Sequence, residues 1–109
     1  DTPRAAHVDL VCDALWQGVP VVTMRHAYPS GRLGASALIA AGMDGWVADT
    51  PEGYIGLAAQ LASDQKAISE LRRSLRETIK DSALCDTKGF MLRLETAFRA
   101  LCERAVDAG

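Results

Sequence analysis

The segment Asp9–Met24, DLVCDALWQGVPVVTM, constrains the fold more than any other part of this chain. Its first half has the spacing of a helix over residues 8–17, with Leu10, Ala14 and either Val11 or Leu15 able to face inward together. Asp9 is expected to cap that helix, because its carboxylate can accept a hydrogen bond from a backbone N–H one turn in. Gly18 is expected at the C′ position, where positive φ costs glycine nothing. The run Val19–Met24, VPVVTM, is short, apolar and β-branched, and predicts a buried parallel strand. Pro20 stands near its start, where a missing N–H does least harm. A helix delivered through a glycine into a buried parallel strand is an α/β pattern.

The rest of the chain continues it. Residues 25–30 predict a loop. Gly31–Ala41, GRLGASALIAA, predicts a helix of small residues that can approach a sheet closely, ended by Gly42. Trp46–Ala48 predicts a second short strand. Asp49 or Thr50 then caps a helix with Pro51 at its first position, whose buried face holds Tyr54, Ile55, Ala58 and Leu61. Asp64 opens another helix, with Ile68, Leu71, Leu75 and Ile79 on one stripe. Arg72, Arg73, Arg76 and Lys80 lie off that stripe and are expected to form a solvated face. After a break at Ser82–Thr87, residues 88–105 predict a long helix with Met91, Leu94, Phe98 and Leu101 inside.

The order is helix, strand, helix, strand and three helices. Two strands make no stable parallel sheet alone, so further strands are expected from sequence preceding Asp1. The expected fold class is α/β: the C-terminal part of a doubly wound Rossmann-like domain, followed by a helical tail. Residues 1–80 are expected to end the Rossmann-like domain. Residues 81–109 are expected to form the tail, packed back on it.

Composition sets outer limits. Hydrophobic residues make up 49% of the 109 residues and charged residues 24%, the usage of a globular domain and too apolar for a disordered chain. The net charge of −2 carries no nucleic-acid footprint, and the apolar runs are too short to cross a bilayer. The partners expected therefore include neither nucleic acid nor membrane. Cys12, Cys85 and Cys102 have no metal-motif spacing, so buried or half-buried free thiols in a reducing cytoplasm are expected.

Ligands of open α/β sheets bind beyond the carboxyl ends of the strands, at the starts of the following helices. The loop Thr2–Val8, leading into the first helix, fits that position. Free N–H groups of a first helical turn, together with the helix dipole, attract phosphate. Asp13 lies one turn further in, where its carboxylate can accept hydrogen bonds from ribose hydroxyls or act as a favourable dipole partner.

Cys12–Thr23, CDALWQGVPVVT, with Arg32–Leu38, RLGASAL, resembles the C-terminal catalytic region of the SPINDLY-type O-linked N-acetylglucosaminyltransferases. The resemblance continues through Gly42, EGYIGLAAQLASD at residues 52–64 and SALCDTKGFMLRLETAFRAL at residues 82–101. It implies a two-Rossmann-domain (GT-B type) glycosyltransferase. Such an enzyme transfers a sugar, usually N-acetylglucosamine, from UDP to Ser or Thr of proteins, and tetratricopeptide repeats often precede it. It implies a UDP-sugar donor used without cofactor or metal, a protein acceptor, and upstream domains of the same chain.

The resemblance also implies roles for residues. Asp13 matches the family's ribose-binding Asp. The family's diphosphate-binding His-Thr-Thr falls on Val8, Asp9 and Leu10, so His7 stands one place before the matching position. A shift of one residue would bring His7 to the phosphates; otherwise it is an exposed loop residue. Asp9 sets a negative charge where hydroxyls would donate to phosphate oxygens. His26, after a strand end, is a further candidate, and Arg32 matches a family Arg. Trp16 and Trp46 are expected in the core or an interface. The catalytic base is expected upstream. A second expectation follows from Val8-Asp9-Leu10: a non-catalytic module that keeps the fold for protein–protein interaction. A third is an enzyme of the same fold acting on a small molecule or glycan.

Overall fold

The structure, a computed structural model, describes residues 7–109. Helix α1 (Val8–Trp16) leads to strand β1 (Thr23–Met24), a 3-10 turn (Pro29–Arg32) and helix α2 (Leu33–Ala40). A second 3-10 turn (Asp44–Trp46) leads to strand β2 (Val47–Ala48), followed by α3 (Pro51–Ser63), α4 (Gln65–Lys80) and α5 (Thr87–Ala108). The strands pair in parallel, with Thr23 opposite Val47 and Met24 opposite Ala48. The expected α/β order is present, and β1–α2–β2 is its crossover unit.

The paired part of β1 is shorter than the apolar run 19–24. Its one neighbour among the described residues, β2, is only two residues long, so no described strand pairs with 19–22. Val21 and Val22 are nevertheless half-buried, and Val21 packs against the core.

The core is built where α1, α2 and α4 meet. Val11 and Leu15 come from α1, Ala37, Leu38 and Ala41 from α2 and its end, and Leu75 and Ile79 from α4. Alanines on α2 bury without long side chains, which is how that helix comes close to its neighbours. The inward face of α1 is Val11 and Leu15; Leu10, expected inside, is 62% exposed. Helical period puts Leu10 about 100° around from Val11, and no described element reaches that side.

Both α1 and α2 end in the same motif. After α1, Gly18 (φ 77°) donates to Leu15 O and Val19 to Ala14 O. After α2, Gly42 (φ 76°) donates to Ile39 O and Met43 to Leu38 O. This crossed pair of bonds satisfies the last carbonyls of a helix and needs a left-handed residue between them.

At helix starts, Thr50 Oγ1 accepts from the Gly53 N–H at 3.1 Å, Asp64 Oδ1 from Ala67 at 2.9 Å and Asp86 Oδ1 from Gly89 at 2.9 Å. Asp9 caps nothing: the N-cap of α1 is His7, and its side chain makes no capping bond. Asp9 sits inside the first turn, where its charge favours the dipole without satisfying an N–H.

Two further expectations are corrected. Ile55 on α3 is exposed, while Tyr54, Leu57, Ala58 and Leu61 are half-buried. On α5, Met91, Phe98 and Leu101 are exposed and Leu94 half-buried, and the helix has no fully buried residue. Its apolar periodicity is genuine, but no described element covers that face.

Candidate functional site

Parallel pairing puts the carboxyl ends of β1 and β2 on one edge of the sheet. The segment 25–32 leaves that edge after β1, and Asp49 and Thr50 leave it after β2. Helix α1 precedes β1 and runs back to it, so its N-terminus faces the same edge. The sequence-predicted residues His7, Val8, Asp9, Asp13, His26 and Arg32 are distributed over these elements.

At α1, the first N–H bonded to the helix backbone is that of Val11, which donates to His7 O at 3.1 Å. The N–H groups of Val8, Asp9 and Leu10 have no hydrogen-bond partner among the described residues. With no side-chain cap at His7, nothing among the described residues closes these three donors or the positive end of the dipole to an anion. His7, Val8, Asp9 and Leu10 are all exposed. The preceding part of the expected ligand loop, residues 2–6, lies outside the described residues.

Asp13 is exposed, and its carboxylate makes no hydrogen bond or ion pair among the described residues. Asp9 and Asp13 are four apart and share a face, a like-charge pair that costs an exposed helix about 0.2–0.5 kcal/mol. Asp9 also answers the dipole, worth about 0.3–1 kcal/mol in the first turn; Asp13, further in, gains less from it. Fold stability therefore gives little reason for an acid at position 13. The neighbouring Cys12 thiol has its pKa raised, by burial first and then by Asp13, Cys85 and Asp9.

A small cleft of about 140 Å³ opens beside the start of α1, lined by His7, Leu10, Val11 and Val21. It brings His7 against apolar walls, and neither Asp9 nor Asp13 lines it. A larger groove, about 560 Å³, runs between α3 and α4 and includes Trp46, Leu61, Ile68 and Leu71, with Gln60, Ser63 and Asp64 as its polar lining. None of the predicted site residues borders it.

The loop after β1 is held from inside. Arg32 Nε donates to His26 O at 2.8 Å, so this arginine ties down its own loop. His26 is half-buried against Gly31, where an added Cβ would fall 2.6 Å from His26 Cβ. Across the edge, Arg25 Nε lies 3.3 Å from Asp49 Oδ1, joining the ends of the two strands. Sequence reasoning missed that pair, because residues so far apart in the chain carry no pairing signal.

The basic face of α4 is not wholly solvated, contrary to expectation. Arg76 Nε donates to Trp16 O at 2.8 Å, and its guanidinium carbon lies 5.3 Å from the centroid of the Trp16 ring. One of the four cations assigned to solvent thus closes the C-terminal end of α1.

A parallel crossover unit with a helix start at its carboxyl edge is the arrangement of a doubly wound α/β domain. Within that class, the profile of glycosyl transferase family 41 matches residues 1–94, and the chain belongs to that family. The "Probable UDP-N-acetylglucosamine--peptide N-acetylglucosaminyltransferase SPINDLY" of Hordeum vulgare is 40% identical over 107 residues, 98% of this chain and 11% of that protein. The UDP-N-acetylglucosamine--peptide N-acetylglucosaminyltransferase of Caenorhabditis elegans is 29% identical over 104 residues, 95% of this chain and 9% of that protein. Among solved structures, an O-GlcNAc transferase point mutant from Thermobaculum terrenum is similar at 35% identity and a TM-score of 0.83, over 96% of this chain and 21% of that one. The chain therefore spans about a tenth of the length of these curated relatives. No helix among the described residues is long and apolar enough to cross a membrane.

Proposed function

We propose that this chain is the donor-binding segment of a longer protein glycosyltransferase, which moves N-acetylglucosamine from UDP-GlcNAc to Ser or Thr of protein acceptors. One observation carries the reading: the Asp13 carboxylate, which pairs with nothing among the described residues, lies one turn beyond a helix start whose N-cap side chain makes no capping bond, at the carboxyl edge of the sheet. Membership of glycosyl transferase family 41 supports the same chemistry.

The diphosphate takes the open N–H groups of Val8, Asp9 and Leu10, and Asp13 accepts from the ribose hydroxyls. His7, at the N-cap, donates to a phosphate oxygen. When the acceptor hydroxyl attacks the sugar's anomeric carbon, the bond to the UDP oxygen breaks and charge grows on the diphosphate. Oriented N–H groups and the helix dipole stabilise that charge, and no metal or cofactor is needed in the reading. The base that takes the acceptor's proton comes from elsewhere in the longer protein, and this segment alone is inactive. The setting is the cytoplasm, consistent with free Cys12, Cys85 and Cys102.

Titration calorimetry of the full-length protein with UDP tests the assignment. Asp13→Ala removes charge-assisted hydrogen bonds and is expected to weaken UDP about 10- to 100-fold; unchanged affinity overturns it. A second reading, a non-catalytic module for protein–protein interaction, is favoured by one specific residue. Asp9 sets a carboxylate at the helix start, among the donors assigned to phosphate. A folded full-length protein that binds no UDP and no UDP-GlcNAc would select that reading.

A further inference from the structure

Helix α1 carries the proposed site, yet it is weakly secured by its own residues. It has nine residues, buries only Val11 and Leu15, and has no basic residue in its last turn. A helix this short is marginal by itself. The cation that its carbonyl end lacks arrives from 60 residues away, in the Arg76 bond to Trp16 O.

That contact is directional where the others are not. Apolar packing of Val11 and Leu15 against Leu75 and Ile79 tolerates small slides along the helix axis. A 2.8 Å hydrogen bond to a main-chain carbonyl, with the guanidinium stacked 5.3 Å from the Trp16 ring centroid, does not. Leu75 precedes Arg76 on α4 and is fully buried, so the base of the arginine is anchored. The backbones also close together here: a Cβ on Gly18 would meet Arg72 O at 2.7 Å. Asp13 is three residues before Trp16, roughly 4.5 Å along the same axis. A slip at Trp16 is a slip of the carboxylate, and binding groups lose their effect once displaced by more than about 0.5 Å.

We infer that Arg76 is a positioning residue for Asp13, locking the register of α1 from its C-terminal end so that the carboxylate meets the ribose of the donor. This rests on the donor-binding reading above. Arg76 touches no ligand; it acts through α1.

The test is a double-mutant cycle read by UDP calorimetry on the full-length protein, with thermal melts alongside. Arg76→Gln is expected to weaken UDP about five- to tenfold, from the loss of the charged bond and the stack. Arg76→Lys keeps the charge, loses the planar fork and is expected to lose about two- to threefold. In an Asp13→Ala background, Arg76→Gln is expected to cost nothing further, because the two residues act as one unit. Asp64→Ala, which removes the cap of α4 far from α1, controls for stability and is expected to leave UDP affinity unchanged.

Additive losses in the cycle overturn the inference. So does unchanged affinity in both Arg76 variants, or an equal loss of affinity in Asp64→Ala. If Arg76→Gln does not fold, Arg76→Lys and its combination with Asp13→Ala complete the cycle in its place. Failure of the wild type to bind UDP, or undiminished binding by Asp13→Ala, instead overturns the donor-binding reading and takes this inference with it.

Discussion

Gly18 and Gly42 occupy the same place in two copies of one helix-ending motif, and their surroundings differ. Both have positive φ, at 77° and 76°. A Cβ on Gly42 meets nothing within 4 Å, whereas one on Gly18 would fall 2.7 Å from the Arg72 carbonyl oxygen. Gly42→Ala is therefore expected to cost about 1 kcal/mol, the penalty of a left-handed alanine. Gly18→Ala carries that cost plus a main-chain clash, and is expected to lose at least about 2 kcal/mol. Urea unfolding of the two variants checks the difference, and equal losses would refute the close α1–α4 approach. Both glycines were legible in the sequence as helix ends, because the conformational need is local. The Arg72 contact was not, since it joins residues that no spacing rule links. Arg76 shows the same limit: a charge off the apolar stripe looks solvated until a distant carbonyl is found under it.

At the scale of elements, local chemistry made the helix starts of α3 and α4 readable. Thr50, one of the two caps expected before Pro51, and Asp64, expected to open the helix of the Ile68–Leu71 stripe, both act as caps. The start of α1 defeats the same rule, because an Asp near a helix start is favourable both as a cap and inside the first turn. Only the backbone decides, and it puts His7 in the cap position with its side chain unused. These roles differ measurably. Asp64→Ala removes a 2.9 Å capping bond and is expected to cost about 1 kcal/mol in urea unfolding. His7→Ala removes no capping bond and is expected to stay within about 0.5 kcal/mol. A loss at His7 as large as at Asp64 would mean that α1 is capped after all, and the helix start would then not be open to a phosphate. The strands were legible as apolar runs, but their pairing lengths were not, because a ladder is as long as its shorter partner.

For the whole molecule, the measure is how far it extends. The radius of gyration is 17.1 Å, against about 13 Å for a compact chain of this length. The 22 residues of α5 make a rod roughly 33 Å long. The sequence shows Met91, Leu94, Phe98 and Leu101 at helical spacing, and periodicity of that kind establishes a face without naming what covers it. Nothing among the described residues does so fully: Phe98 is 58% exposed, while Leu75 in the α1–α2–α4 core is 0% exposed. The two side chains should respond differently to truncation. Leu75→Ala leaves a cavity between three helices and is expected to cost about 2–5 kcal/mol, whereas Phe98→Ala removes few contacts and is expected to cost less than about 1 kcal/mol. Urea unfolding of this chain measures both. Because the chain spans about a tenth of its curated relatives, repeating the pair in the full-length protein adds a second comparison. A large Phe98→Ala loss there, beside a small one here, would mean that the apolar face of α5 is buried by residues outside this chain. Equal small losses would leave α5 an exposed helix in both settings, and the packing that holds the proposed donor site would then lie in the α1–α2–α4 core rather than in α5.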